Sequence, residues 1–190
     1  MNFDSILKKI VKSSLKGLIA KAKPKSRAKT NSIEAHARTM TALNDARTSV
    51  LEAHADDATQ MQFLAVLDSH NCVQCGLRDG LRWYVKSKKP VGHTLEWKQP
   101  PIHIGCRCTF FSVTPLTDLP GGGRASEFGV VEGRTTFDEF LKLRAPEFQN
   151  KVLGAERAKI WRDKKLSLRD LVDASGRELT LDELRAKYSA

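Results

Sequence analysis

Between Phe3 and Ile19, the apolar residues Phe3, Ile6, Leu7, Ile10, Val11, Leu15, Leu18 and Ile19 return every three or four positions, and lysines fill the opposite face. That spacing predicts an amphipathic helix with a single apolar stripe. The following KPKSRAKT (residues 23–30) contains Pro24 and no apolar anchor, and reads as a linker. A second helical period runs from about Ser32 to Ala55. Ile33, Ala37, Met40, Leu43, Ala46, Val50 and Leu51 are its expected buried stripe, with Asn31 or Ser32 as the cap.

The pattern then shortens. QMQFLAVLD (residues 60–68) is mostly apolar over a brief run, which suits a buried strand. Asp79-Gly80, flanked by Leu77 and the strand-forming LRWYV, is a two-residue hairpin signal. Residues 87–93 read as an exposed loop, KQPPIH (98–103) as extended because of its prolines, and CTFFSV (108–113) as a buried strand. PLTDLPGGGRASEFG (115–129) reads as a flexible connector around its three glycines. Helical signals return afterwards. Thr136 with Glu139 and Thr180 with Glu183 form capping-box patterns, Gly154 fits a helix stop, and residues 173–176 look like a turn. The expected fold class is α+β: N-terminal helices, a small β-hairpin or ribbon lobe, and a C-terminal helical extension. The expected division is serial: an arm and linker at 1–30, a main domain at 31–118, a Gly-rich linker at 119–134, and the extension at 135–190.

Composition adds one constraint and charge adds another. With 41% hydrophobic and 28% charged residues, the chain is globular in type. It contains no run of eighteen apolar residues to span a membrane. Lys8, Lys9, Lys12 and Lys16 break up any signal-peptide core, so the expected compartment is a reducing cytoplasm, where structural disulfides are uncommon. The net charge of +10 is unevenly placed. Residues 1–30 hold Lys8, Lys9, Lys12, Lys16, Lys21, Lys23, Lys25, Arg27 and Lys29 against Asp4 alone, nine minus one or +8, which leaves +2 for the remainder. Such an arm can meet nucleic-acid phosphates or an anionic membrane surface, or simply solvate the outer face of a docked helix. No aromatic residue follows Phe3 among the lysines, so stacking on single strands is not suggested.

All four cysteines lie in two clusters, Cys72 with Cys75 and Cys106 with Cys108, and His103 stands beside the second. A Cys-x2-Cys turn can supply two ligands to a tetrahedral Zn2+, and His-x2-Cys and Cys-x-Cys can supply the rest. Five candidates, Cys72, Cys75, His103, Cys106 and Cys108, compete for four places, and the spacing does not choose among them. Disulfides, packed free thiols and a catalytic thiol are the other readings, but a single nucleophile would not explain four clustered thiols. A hydrolytic metal would need an open position and a base, for which Asp68, His70 and Asp79 are near in sequence. His36, His54 and His93 stand singly on expected helix or loop surfaces and read as inert. No phosphate-binding glycine loop follows a strand, and no nucleophile elbow is present.

Taken in order, Ala37-Arg38-Thr39, Asn44 with Ala46-Arg47, Asp68-Ser69, Cys72 and Cys75, Asp79-Gly80, and Pro101-x-His103 through Cys108 resemble the phage head morphogenesis family, minor head proteins similar to the F protein of phage Mu. Ile104 stands where a proline is common in that family, and the segment from FDEFLKL to LTLDEL resembles the C-terminal extension of many members. The resemblance implies a non-enzymatic component of the virion, located in the head interior after assembly in the host cytoplasm. It implies contact with the portal or major capsid protein and with phage DNA, with no membrane required. A metal-dependent nuclease using His103 and Asp79 is the alternative from another class, and a zinc-ribbon nucleic-acid binder is a third.

Overall fold

The structure is a computed structural model that describes residues 27–115, 117 and 122–188. The amphipathic segment at 3–19 and the lysines from Lys8 to Lys25 lie outside the described residues. Among those described there are six helices and two small antiparallel sheets, so the fold is mixed α and β. No described helix is long and apolar enough to cross a membrane. The chain divides into two units, residues 1–54 with 98–109 and residues 55–97 with 110–190. In sequence the two units interleave.

The first unit is built on α1 (Arg27–His54), which covers the expected helix but starts earlier. Asn31 and Ser32 lie inside it rather than capping it, and Arg27 and Lys29 fall at its start. Its buried face also differs from expectation. Ala37, Thr41 and Asn44 are buried, whereas Leu43 is 46% and Val50 60% exposed. Ala46 is exposed as well. The cause is the polarity of what covers the helix. Residues 98–109 offer carbonyls and an amide side chain, which select hydrogen-bonding residues on the helix. Thr48 donates to Gln99 Oε1 at 2.9 Å, and Gln99 Nε2 donates to Asp45 Oδ1 at 2.6 Å.

The second unit carries a four-stranded sheet in the order β3-β2-β1-β4. Its strands are β1 (Gln60–Leu64), β2 (Arg82–Tyr84), β3 (Pro90–Val91) and β4 (Thr109–Val113). β1 pairs antiparallel with β2, Met61 opposite Trp83, and β2 pairs antiparallel with β3. Met61 and Phe63 point inward and alternate with half-buried Gln60, Gln62 and Leu64, the period-two pattern of a half-buried strand. Trp97 packs edge-on against Trp83 and Phe110 at 5.1 and 5.2 Å, and Trp83 donates its indole N–H to the Leu95 carbonyl. Residues 87–93 are therefore more than an exposed loop. They supply β3, and His93 packs edge-on against Trp83 and bonds the Arg82 carbonyl.

The connector expected at 119–134 contains a hairpin, β5 (Gly123–Ser126) with β6 (Gly129–Glu132). Its glycines mark turn geometry rather than looseness: Gly129 has φ +106°, in the left-handed region that favours glycine. Beyond it lie α3 (Phe137–Lys142), α4 (Pro146–Leu153), α5 (Ala155–Asp163), a 3-10 turn at Leu168–Leu171 and α6 (Leu181–Tyr188). Both capping boxes form. Thr136 and Glu139 satisfy each other's backbone N–H groups, as do Thr180 and Glu183. Gly154, at φ +81°, ends α4. Phe137, Phe140, Leu141, Leu153, Ala158 and Trp161 are buried, so the polar-looking 155–165 stretch contributes a core tryptophan.

Candidate metal centre

Cys72 ends an extended approach and caps the short helix α2 (Val73–Gly76), its sulfur accepting from the Cys75 amide at 3.4 Å. Cys75 is fully buried and Cys72 half-buried. The turn is held tightly on one side, since a Cβ on Gly76 would fall within contact distance of Phe137 and 3.0 Å from Leu168 Cδ1. Only a residue without a side chain allows that approach.

His103, Cys106 and Cys108 belong to the segment that lies along α1. Its polar face fixes the backbone around both thiols. His36 donates from Nε2 to the Cys106 carbonyl at 3.2 Å, and Asn44 Nδ2 reaches the Cys108 carbonyl at 3.4 Å. Asn44 Oδ1 also accepts from Thr109 at 3.0 Å. Two residues whose roles the hydropathy pattern did not suggest, one of them read as inert, thus orient the second cysteine pair. His103 donates from Nδ1 to the Ile104 carbonyl at 2.8 Å, which leaves Nε2 as the lone-pair nitrogen. Cys106 and Cys108 are both buried.

The ligand atoms fall into two overlapping groups, each lying within 4.8 Å of one another: Cys72, Cys75 and His103, and Cys75, Cys106 and Cys108. Each group could hold a metal ion, and Cys75 is common to both. All five candidates are thus accounted for, and none of the four cysteines is bridged to another. Sulfur-rich sets of this kind suit borderline or soft ions rather than Mg2+ or Ca2+.

The acids considered for a hydrolytic site are occupied elsewhere. Asp79 lies in the Arg78–Leu81 turn, whose closing bond runs from the Leu81 amide to the Arg78 carbonyl. What precedes this turn is α2, not a strand, so Asp79-Gly80 does not link two flanking strands as the sequence suggested. Asp79 Oδ1 accepts from the Ala65 amide at 2.8 Å and Arg124 Nη2 at 2.9 Å. Its Oδ2 accepts from Arg124 Nη1 at 2.8 Å and the Phe137 amide at 2.7 Å. Burial pushes this carboxyl up, and Arg124 with the two amides pulls it back. Asp68 accepts from the His70 amide at 2.9 Å, and neither residue belongs to either ligand group. Arg78, one residue before Asp79, escaped the sequence reading altogether. It is fully buried, and burial lowers its pKa while Cys75 and Cys72 raise it.

Comparison with protein-family models, with curated proteins and with solved structures found no match.

Proposed function

We propose that this chain is a non-enzymatic structural protein of a phage head, with one Zn2+ stapling its Cys/His cluster and a basic arm holding DNA. The observation that carries the metal reading is the overlap of the two ligand groups at Cys75. Cys75, Cys106 and Cys108 supply three thiolates, and Cys72 or His103 supplies the fourth ligand. The bound ion would cross-link segments distant in sequence, so its binding free energy becomes folding free energy. A non-catalytic role is supported by the engagement of Asp79, whose two oxygens accept from the Ala65 and Phe137 amides and the Arg124 fork, groups that hold the fold. The head reading rests on the motif resemblance. Several of its residues have holding roles here: Asn44 on the Cys108 carbonyl, Ser69 on Glu127, and Asp79 on Arg124. In such a compartment, an arm of +8 would be retained on DNA by counterion release.

Metal analysis of the purified full chain tests the staple: one equivalent of Zn2+ and no reactive thiols is the expected result. Cys75→Ser should weaken binding by more than the roughly 10–100-fold lost with an outer partner. Plasmid nicking by the pure protein, lost in His103→Ala, would instead favour the nuclease. For the arm, deletion of residues 1–30 should abolish DNA retention at low salt, and unchanged retention would end that part of the proposal. Portal and scaffold genes beside the reading frame would support the head assignment.

A further inference from the structure

The sequence Cys72-Val-Gln-Cys75-Gly-Leu-Arg78 repeats a spacing of three, and its last member is a side chain with no exposure to solvent. Arg78 Nη1 donates to the Gln74 carbonyl at 2.8 Å and to Gln74 Oε1 at 3.1 Å. Its Nε and Nη2 have no hydrogen-bond acceptor among the described residues. The turn at 173–176 closes the space beside it: a Cβ on Gly176 would lie 3.2 Å from Nη2, and Gln74 Nε2 donates to the Gly176 carbonyl. A guanidinium stays charged in proteins, and a buried charge without an opposite partner is destabilising.

Among the described residues no carboxylate pairs with Arg78. Its backbone N–H donates to the Cys75 carbonyl at 3.1 Å, which sets it on the cysteine turn; burial lowers its pKa, Cys75 and Cys72 raise it, and Arg169 lowers it further. His93 responds to the same two arginines, so the surroundings are otherwise cationic. Protonated thiols carry no charge to offset Arg78. Metal-bound thiolates do, because four thiolates around a divalent ion leave a net charge of about −2, and three with an imidazole about −1. The thiol protons leave to solvent as the metal enters.

We propose that Arg78 is the built-in counter-cation of the metal centre, a fully buried guanidinium in the turn that follows Cys72 and Cys75, offsetting the charge of their thiolates. The inference rests on the metal reading above and makes it more specific: the site takes a divalent ion whose thiolates leave excess negative charge. Arg78 is a positioning residue, not a ligand, and its effect depends on whether metal is present.

The test uses the full chain with Zn2+, and with Co2+ as a spectroscopic probe. In Arg78→Met, Zn2+ affinity measured by chelator competition should fall about 10–100-fold, and the thiolate-to-Co2+ charge-transfer band should shift. After chelation, Arg78→Met should be at least as resistant to urea as the chelated parent, because the unpaired charge is gone. Arg78→Lys, which keeps the charge, should recover part of the affinity, and it serves as the test if the methionine variant does not fold. Unchanged affinity and spectrum in either variant would overturn the assignment, as would equal destabilisation of loaded and chelated protein. A parent chain that binds no Zn2+ would remove the metal reading itself, a result distinct from a parent that binds and variants that bind equally.

Discussion

Arg78 and Asp79 are consecutive, oppositely charged and buried, yet their surroundings treat them differently. Asp79 sits in a closed junction, where the Arg124 fork and two backbone amides occupy both of its oxygens and join β1, β5 and the start of α3. Arg78 uses one nitrogen on Gln74 and leaves two without an acceptor. The junction satisfies its carboxylate with protein atoms alone, and the cysteine turn leaves its arginine short of acceptors. A buried polar group that the fold satisfies serves the fold, and one that it leaves short calls for a reason of its own.

The largest expected effect comes from opening the closed junction. Arg124→Ala removes the partner of a carboxylate with no side-chain exposure and should cost about 3–5 kcal/mol in urea unfolding. The loss should be the same with and without Zn2+, in contrast to Arg78→Met. A metal-dependent loss in Arg124→Ala would erase the distinction between the two regions. Gly76→Ala comes next, because its methyl would crowd Phe137 and Leu168 from within the cysteine turn. Overpacking of this kind should cost about 1–3 kcal/mol and disturb both regions together. A neutral result would mean that the turn is not packed tightly against α3.

The smallest effect concerns acid. Asp173, bonded by Ser175 and Arg177, and Glu183, bonded by Arg177 and Thr180, are each lowered to about 2. Their folded values lie below the ordinary carboxylate range. The stability they contribute is therefore present above about pH 4 and lost as the pH falls toward 2. Arg177→Ala should be less stable than the parent above about pH 4 and equal to it near pH 2, so its stability should fall less steeply between those values. An unchanged acid limb would show that this exposed cluster contributes nothing measurable.

What could be read in advance was what is local. The capping boxes at Thr136 and Thr180 need only four residues each, and both form. The strand at 109–113 and the gathering of the cysteine pairs were legible for the same reason: type and spacing suffice. The buried face of α1 was not. Hydropathy placed Leu43 and Val50 inside, but the covering segment presents carbonyls, so Thr41 and Asn44 are buried instead. The hairpin at 123–132 was hidden by its glycines, which read as linker until their turn conformation is known. Arg124 carried no local signal, because its partner lies 45 residues earlier. Arg78 had one weak cue, its spacing of three after Cys75, which a helical or turn reading absorbs without remark.

The interleaving of the two units has a consequence in time. α1 leaves the ribosome before residues 55–97, and only afterwards does its covering segment, 98–109, appear. At roughly 5–20 residues per second, the interval is on the order of 2–9 s. Until then the face of α1 that carries Thr41 and Asn44 meets water, a solvent that suits a polar face far better than an apolar one. A helix dressed in leucine on that side would wait exposed and adhesive. One dressed in threonine and asparagine can wait.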